Sequence, residues 1–199
     1  EWKATSGTIE VGGNIDAPKF EQEAGKFILS GTGAQSVKVK KLKELEVGAN
    51  SDATMESIAP LQQTIEKITN IGKLKLASGA QVSINEIENT GTFTSNTNDF
   101  KLKKSLKNAS GTFSATKLKL EHGSDPISIE GGTGNTNLGD VECTGAGGKT
   151  VVFKKDITIG TGSKLSGSST TSLLTLKGEG NDSKLHLSGE PATPARYVQ

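Results

Sequence analysis

One pattern recurs in the middle of the chain: IEKITNIGKL at residues 65–74 and INEIENTGTF at residues 84–93. A third copy around Asn108, LKNASGTF, has one extra residue between its asparagine and its glycine. The asparagines Asn70, Asn89 and Asn108 recur at equal intervals. Self-similarity at a period of about 19–20 residues is typical of a solenoid, in which each repeat forms one coil that stacks on the next.

Weaker copies extend the pattern in both directions. Residues 42–47 form a degenerate copy with valine at the asparagine position. Asn137 follows Asn108 after a wider interval, which predicts a longer turn or an inserted loop. SKLSG at 163–167 recurs as SKLHLSG at 183–189, again one repeat length later. The repeats therefore extend over residues 42–189.

The repeats predict a single solenoid domain over residues 1–189. Residues 1–41 show the pattern least clearly, and we expect less regular coils or a cap there. Residues 190–199 contain two prolines and are predicted to form a tail or linker.

Within each repeat, apolar and polar residues alternate. Lys73–Leu76, Lys117–Leu120 and Ile127–Ile129 show the period of two that indicates a half-buried strand. Clusters of Gly, Asn, Asp and Ser separate these segments, as turns require. Short strands with frequent turns also suit a sandwich or barrel, but neither needs a repeat of constant length. We therefore predict an all-β parallel β-helix with irregular coils of about 19–20 residues, and roughly ten coils at about 4.8 Å each.

The apolar residues between Ile58 and Ile68 also fit a short helix that begins near Pro60. Because Ile65 and Ile68 align with equivalent isoleucines in the next repeat, we predict that this segment is a coil.

Composition supports a narrow core and excludes several classes of protein. Of the 199 residues, 32% are hydrophobic and 4% aromatic, too little apolar volume for a thick core. Because 23 Lys and Arg nearly balance 22 Asp and Glu, the chain does not resemble a disordered or nucleic-acid-binding protein. No apolar run is long enough to cross a membrane as a helix.

The repeated asparagines predict a structural ladder. Asn70, Asn89 and Asn108 would occupy the same corner of successive coils and hydrogen-bond to one another. Asparagine, and the glycine that follows it, also tolerate a left-handed backbone at such a corner.

Outward positions of the alternating strands carry pairs of lysines. They are Lys73, Lys75, Lys101, Lys103, Lys117 and Lys119. If their strands stack on one face, they form a basic stripe that maintains solubility and protects the sheet from lateral pairing. The alternative is a weak, salt-sensitive site for a polyanionic glycan or an anionic envelope polymer.

Two carboxylate pairs have the spacing of a catalytic site. Asp140 and Glu142, like Glu44 and Glu46, lie two positions apart on a strand and so about 7 Å apart on one face, which suits an inverting glycosidase. Outward charges on an amphipathic strand produce the same spacing by default, and no aromatic residue lies nearby to stack on a sugar. We therefore predict no catalytic residues.

Metal and cofactor sites are not predicted either. His122 and His186 have no second ligand at metal-binding spacing, and Cys143 has no histidine partner and is expected to be a buried thiol. No phosphate-binding or dinucleotide-binding motif is present.

The units NIGKL at 70–74 and NTGTF at 89–93, with their regular spacing, resemble filamentous-haemagglutinin-type repeats and the β-helical surface proteins of host-associated bacteria such as spirochaetes. The resemblance covers residues 42–189. It implies a right-handed parallel β-helix, export to the bacterial surface or medium, and a role in adhesion or as a stalk.

The expected function is thus that of a non-catalytic adhesin, stalk or filament-forming module. Host surface, matrix or glycan is the expected partner, and the open ends of a solenoid allow head-to-tail self-association. The alternative is a polysaccharide lyase or hydrolase on the same fold.

Overall fold

The computed structural model describes residues 2–121, 126–143, 150–165, 175–179 and 185–187. Every regular element in these residues is a β-strand. The strands run parallel and stack as a β-solenoid of about 8 turns. The predicted all-β solenoid is confirmed, and the expectation of roughly ten coils was too high.

The strands of the described residues follow one another closely along the chain. The first seven are β1 (Trp2–Ala4), β2 (Thr8–Val11), β3 (Ile15–Gln22), β4 (Lys26–Leu29), β5 (Ala34–Val47), β6 (Asp52–Met55) and β7 (Gln63–Asn70). The next seven are β8 (Lys73–Leu76), β9 (Gln81–Asn89), β10 (Thr92–Ser95), β11 (Asp99–Asn108), β12 (Thr112–Ala115), β13 (Lys117–Leu120) and β14 (Ile127–Glu130). The last seven are β15 (Thr136–Asn137), β16 (Asp140–Cys143), β17 (Thr150–Lys154), β18 (Ile157–Ile159), β19 (Lys164–Leu165), β20 (Thr175–Glu179) and β21 (Leu185–Leu187).

Each coil has three sides, and strands of successive coils stack on each side. Face A consists of β2, β4, the ends of β5, β7, β9 and β11, and then β14, β17 and β20. Face B consists of the starts of β3 and β5, and then β6, β8, β10, β12, β15, β18 and β21. Face C consists of β1, the end of β3, the middle of β5, the starts of β7, β9 and β11, and then β13, β16 and β19.

The core is a set of apolar columns that run along the solenoid. On face A, Leu45, Ile68, Ile87 and Leu106 pair in register from coil to coil, and each is at most 1% exposed. Alternation directs every second residue of a strand inward, so Leu and β-branched side chains of one coil pack on those of the next. One continuous core results, and each coil depends on its neighbours.

Three phenylalanines fill the middle of the core. Phe93 and Phe113 stack across neighbouring coils of face B, with ring centroids 4.7 Å apart and ring planes 11° apart. Phe100 on face C lies 5.6 Å from Phe93 and 6.3 Å from Phe113 between centroids. All three rings are fully buried.

Coil length varies more than the repeat predicts. On face A, Lys26 pairs with Thr8 one coil before it, whereas Thr175 pairs with Thr150 across a distinctly longer coil. Because several coils are longer than the predicted repeat, the same chain makes fewer turns. The alternative of a helix between Ile58 and Ile68 is wrong, since β7 begins at Gln63 and no helix precedes it in the described residues.

The corner between faces A and B needs glycine because successive coils approach closely there. A Cβ atom at Gly72, Gly91, Gly111 or Gly134 would overlap the carbonyl oxygen of the glycine one coil before it. The backbone of the first three is not left-handed, and neither is that of the ladder asparagines, so the expected left-handed corner is wrong. Close packing of the backbone, and not conformation, selects glycine at these positions.

Candidate functional site

The three repeated asparagines form an internal ladder at the end of face A. The Nδ2 atom of Asn70 donates to Oδ1 of Asn89 at 2.7 Å, and Nδ2 of Asn89 donates to Oδ1 of Asn108 at 2.7 Å. Each Nδ2 also donates to backbone oxygens that follow the corner, for example from Asn70 to Thr92 at 3.0 Å. All three side chains are fully buried, so their role is to hold coils together and not to contact a ligand.

The ladder ends differently on its two sides. The Nδ2 atom of Asn108 donates to the hydroxyl of Thr136 at 2.8 Å, which makes Thr136 the next rung. On the other side Val47 occupies the asparagine position, in register with Asn70 as the degenerate copy predicts. The Oδ1 atom of Asn70 is therefore buried with no hydrogen-bond donor in the described part of the chain.

Asn137 is not a further rung of the ladder, contrary to the repeat pattern. It lies beside Thr136 in β15 and is half-buried on the outer side of face B. Its Oδ1 atom accepts a hydrogen bond from the backbone N–H of Gly139 at 2.9 Å. The longer turn predicted before it is present at residues 131–135. Because Thr136 pairs with Phe113 and Asn137 with Ser114, Thr136 faces inward and Asn137 outward on face B.

The six lysines singled out in the sequence do not share one face. Lys73 and Lys75 lie on β8 of face B, whereas Lys101, Lys117 and Lys119 lie on face C. Lys103 lies in the irregular part of β11, between its segments on faces C and A. On face C, Lys101 and Lys119 are neighbours in register. The stripe expected from the sequence is thus divided between two sides of the solenoid.

Most of these lysines are paired with carboxylates of adjacent coils. The Nζ atom of Lys119 lies 2.7 Å from Asp99 and that of Lys117 lies 2.6 Å from Glu142. Lys101 pairs with Glu121 at 2.7 Å, and Lys73 approaches Asp52 at 3.9 Å. Pairing lowers the positive potential that a polyanion would meet on face C.

The pKa directions agree with this pairing. The hydrogen bond from Lys119 lowers the pKa of Asp99, and the same bond raises the pKa of Lys119. The hydrogen bond from Lys117 likewise lowers the pKa of Glu142. Each lysine stabilises the charged form of its carboxylate, so these groups are ionised at neutral pH.

Face A carries ion pairs that the sequence analysis missed. Lys26 contacts Glu46 at 3.0 Å and Glu44 at 3.4 Å, and its pKa is raised chiefly by the hydrogen bond to Glu46. Farther along the face, Lys154 contacts Glu179 at 2.7 Å. Each partner lies one coil farther along the chain, so an opposite charge at roughly the repeat length is the only signal in the sequence. The unequal lengths of the coils leave the partner of each lysine undetermined.

Acid is expected to weaken the solenoid through these carboxylates. Because the folded-state pKa of Glu142 is lowered below its unfolded value of 4.5, its contribution is present above pH 4.5 and lost as pH falls through the folded pKa. We expect Glu142→Gln to lower stability at pH 7 by up to about 1 kcal/mol and to reduce the loss between pH 5 and 3. Urea unfolding at several pH values measures this, and an unchanged pH dependence in the variant would contradict it.

Both members of each carboxylate pair lie on the outer side of one strand, but they are engaged in other contacts. Glu142 is held by Lys117, and Asp140 accepts a hydrogen bond from the N–H of Gly162 at 2.9 Å in the next turn. Glu44 and Glu46 share Lys26. A general acid for glycoside cleavage needs a raised pKa, whereas that of Glu142 is lowered.

The other candidate residues provide no site in the described part of the chain. Cys143 is fully buried, and burial raises the pKa of its thiol to about 11, which keeps it protonated and unreactive. His122 lies outside the described residues, and for His186 only the backbone, in β21, is described. No group of three His, Cys, Asp or Glu residues that could hold a metal occurs in the described ranges.

A cavity of about 440 Å³ opens at the N-terminal end of the solenoid. Its walls are mainly apolar and include Ile9, Val11, Ile15 and Phe27. The cavity lies within the first described coil, at the end of the core that β2 and β3 border.

Comparison with protein-family models, curated proteins and solved structures gives no match. Among the described residues, no helix is long and apolar enough to span a membrane.

Proposed function

We propose that this chain is a non-catalytic β-solenoid that acts at the bacterial cell surface or in the medium, as an adhesive or stalk module. The observation that carries the proposal is that its charged side chains form ion pairs between neighbouring coils. On faces A and C, lysines and carboxylates pair between coils, as in Lys119 with Asp99 and Lys154 with Glu179. Such pairs stabilise a rod and leave its faces available for contact.

Three features support a structural role over an enzymatic one. The core is continuous from coil to coil, which gives length and stiffness. The buried asparagine ladder binds neighbouring coils to one another. Asp140 and Glu142, the best-placed carboxylate pair, are held by a backbone N–H and a lysine. The resemblance to haemagglutinin-type repeats is the support for export and adhesion.

Binding and cleavage assays with the same polymers test the proposal. The purified chain is incubated with host-matrix proteins and with acidic and neutral polysaccharides, and both retention and the release of reducing or unsaturated ends are recorded. We expect saturable retention on at least one polymer and no new ends. Asp140→Asn with Glu142→Gln is the control, and cleavage that this double variant loses would overturn the non-catalytic proposal.

Localisation and assembly are measured separately. Antibodies to the chain are expected to label intact cells that make it, and labelling only after permeabilisation would contradict surface display. Head-to-tail self-association through the ends of the solenoid stays a prediction, and sedimentation velocity over a range of concentrations measures it.

A further inference from the structure

Charge is sorted by face along the second half of the solenoid. Four stretches contain no charged residue: residues 89–98, 108–116, 131–139 and 157–163. Charged residues make up 23% of the chain, so stretches of this combined length would be expected to contain several. Each stretch includes one strand of face B, namely β10, β12, β15 or β18.

The outward side chains of these four strands form one uncharged surface, which we name the face B strip. It consists of Thr92, Thr94, Thr112, Ser114, Asn137 and Thr158. Coil by coil they pair in register: Thr92 with Thr112, Thr94 with Ser114, Ser114 with Asn137, and Asn137 with Thr158. The strip thus continues over four coils.

The same coils carry their charges on the other two faces. On face C, Lys119 pairs with Asp99 and Lys117 with Glu142, and on face A Lys154 pairs with Glu179. Turn chemistry explains uncharged residues at the corners, where Gly, Asn and Ser are favoured. It does not explain why the outward positions of the strands themselves carry no charge on face B over four successive coils, whereas faces A and C carry ion pairs in the same coils.

The hydroxyls of the strip are available to a ligand. Within the described part of the chain, the side chains of Thr92, Thr94, Thr112, Ser114 and Thr158 make no hydrogen bond, and Thr92 and Thr112 are exposed. Parallel stacking spaces them about 4.8 Å apart along the rod and about 7 Å apart across it. A rigid backbone holds this array in place, which reduces the ordering cost of binding.

We propose that the face B strip binds an uncharged polysaccharide. Hydroxyl groups both donate and accept hydrogen bonds, so a regular array of them complements a polymer that carries regularly spaced hydroxyls. The absence of charge also matches a neutral polymer, because no ionised group has to be desolvated when the two surfaces meet. The inference rests on the proposed adhesive function and assigns that function to one face and one class of ligand.

The test compares two double variants with equal added charge. Thr112→Lys with Ser114→Lys places two lysines in the strip, at positions equivalent to Lys73 and Lys75 two coils earlier, so the fold accommodates them. Ser105→Lys with Ser128→Lys adds the same charge at neighbouring positions on face A. Circular dichroism and thermal unfolding of both variants confirm that they remain folded.

Retention is measured on cellulose, chitin and starch as neutral polymers, and on polygalacturonate and heparin as acidic ones. We expect wild-type protein to be retained by at least one neutral polymer, equally at low and high salt. The strip variant is expected to bind that polymer about tenfold more weakly, and the face A variant to bind it as the wild type does. Retention by acidic polymers alone, no retention by any neutral polymer, or equal loss in both variants would overturn the inference.

Two further outcomes separate this inference from the proposed function. Cleavage of a polymer would contradict the non-catalytic function. If the strip variant binds the neutral polymer as tightly as the wild type, only the assignment of binding to face B is contradicted. A different result would also overturn the inference. If the wild type inhibits ice recrystallisation, the strip variant does not, and no neutral polymer retains the protein, then the strip orders water and does not bind a polysaccharide.

Discussion

Replacing Phe113 with alanine is expected to lower the free energy of unfolding by about 3–5 kcal/mol, the usual cost of removing a buried phenylalanine ring. Phe113 is fully buried and stacks on Phe93, with Phe100 against both rings. Alanine leaves a cavity between two coils whose backbones are held apart by their own hydrogen bonds. Because each coil contacts only its neighbours, we also expect the unfolding transition to broaden.

Two variants provide the controls. Phe27→Ala removes an equally large buried side chain that borders the N-terminal cavity, and we expect roughly half the loss there because part of its surroundings is already empty. Phe113→Leu is expected to cost about 1 kcal/mol, since Leu74 occupies the equivalent position two coils earlier. Urea unfolding followed by circular dichroism measures all three, and a loss below about 1 kcal/mol for Phe113→Ala would contradict the account of the core.

Replacing Asn89 with alanine is expected to cost about 2–4 kcal/mol, because it breaks the ladder at its middle rung. The substitution removes the bonds from Asn70 and to Asn108, both 2.7 Å long, and leaves Oδ1 of Asn108 buried without its donor. Asn85→Ala on the same strand is the control. Asn85 is half-buried and donates to Glu66 near the surface, so its loss should cost less than about 1 kcal/mol.

Asn89→Asp separates the effect of losing the hydrogen bond from the effect of losing the volume of the side chain. A carboxylate has the shape of the amide but cannot donate to Asn108, and a buried charge is costly, so its folded-state pKa should be raised. The folded state then binds more protons than the unfolded state, and stability rises as pH falls toward the unfolded value. We expect this variant to be less stable than wild type at pH 7 and to recover part of the difference near pH 4. Equal unfolding midpoints for Asn89→Asp and Asn85→Asp at pH 7 would contradict the ladder.

The ladder was predictable because its spacing is constant, whereas the ion pairs were not. Between Asn70 and Asn108 the coils have equal length, so the alignment of the sequence with itself identifies the neighbours directly. The interval from Lys26 to Glu44 is slightly shorter than a ladder coil, and that from Lys154 to Glu179 is clearly longer. Without the coil lengths, the partner of a given lysine cannot be identified.

The faces on which the lysines and the uncharged strip lie could not be predicted either, for the same reason. Alternation correctly placed Lys101 and Lys119 on the outer side of their strands, but not on a face, because the face depends on where each corner falls. Asn137 shows the same limit, since the turn before it places it on face B beside Ser114 and not at the end of face A, where the ladder lies. The glycines were likewise recognised as corner residues, while their reason, the carbonyl oxygen of the previous coil, is visible only when coils are stacked.

The sequence by itself determined the class of fold, whether a strand residue faces inward or outward, and the existence of the asparagine ladder. Alternation and a constant repeat are local properties of the chain. Only the tertiary structure decided which residues become neighbours across coils of unequal length. That choice paired the lysines of faces A and C with carboxylates and left the outward positions of face B uncharged over four successive coils. Its physical reason is that corners and insertions set the register between coils, and register decides every lateral contact in a solenoid.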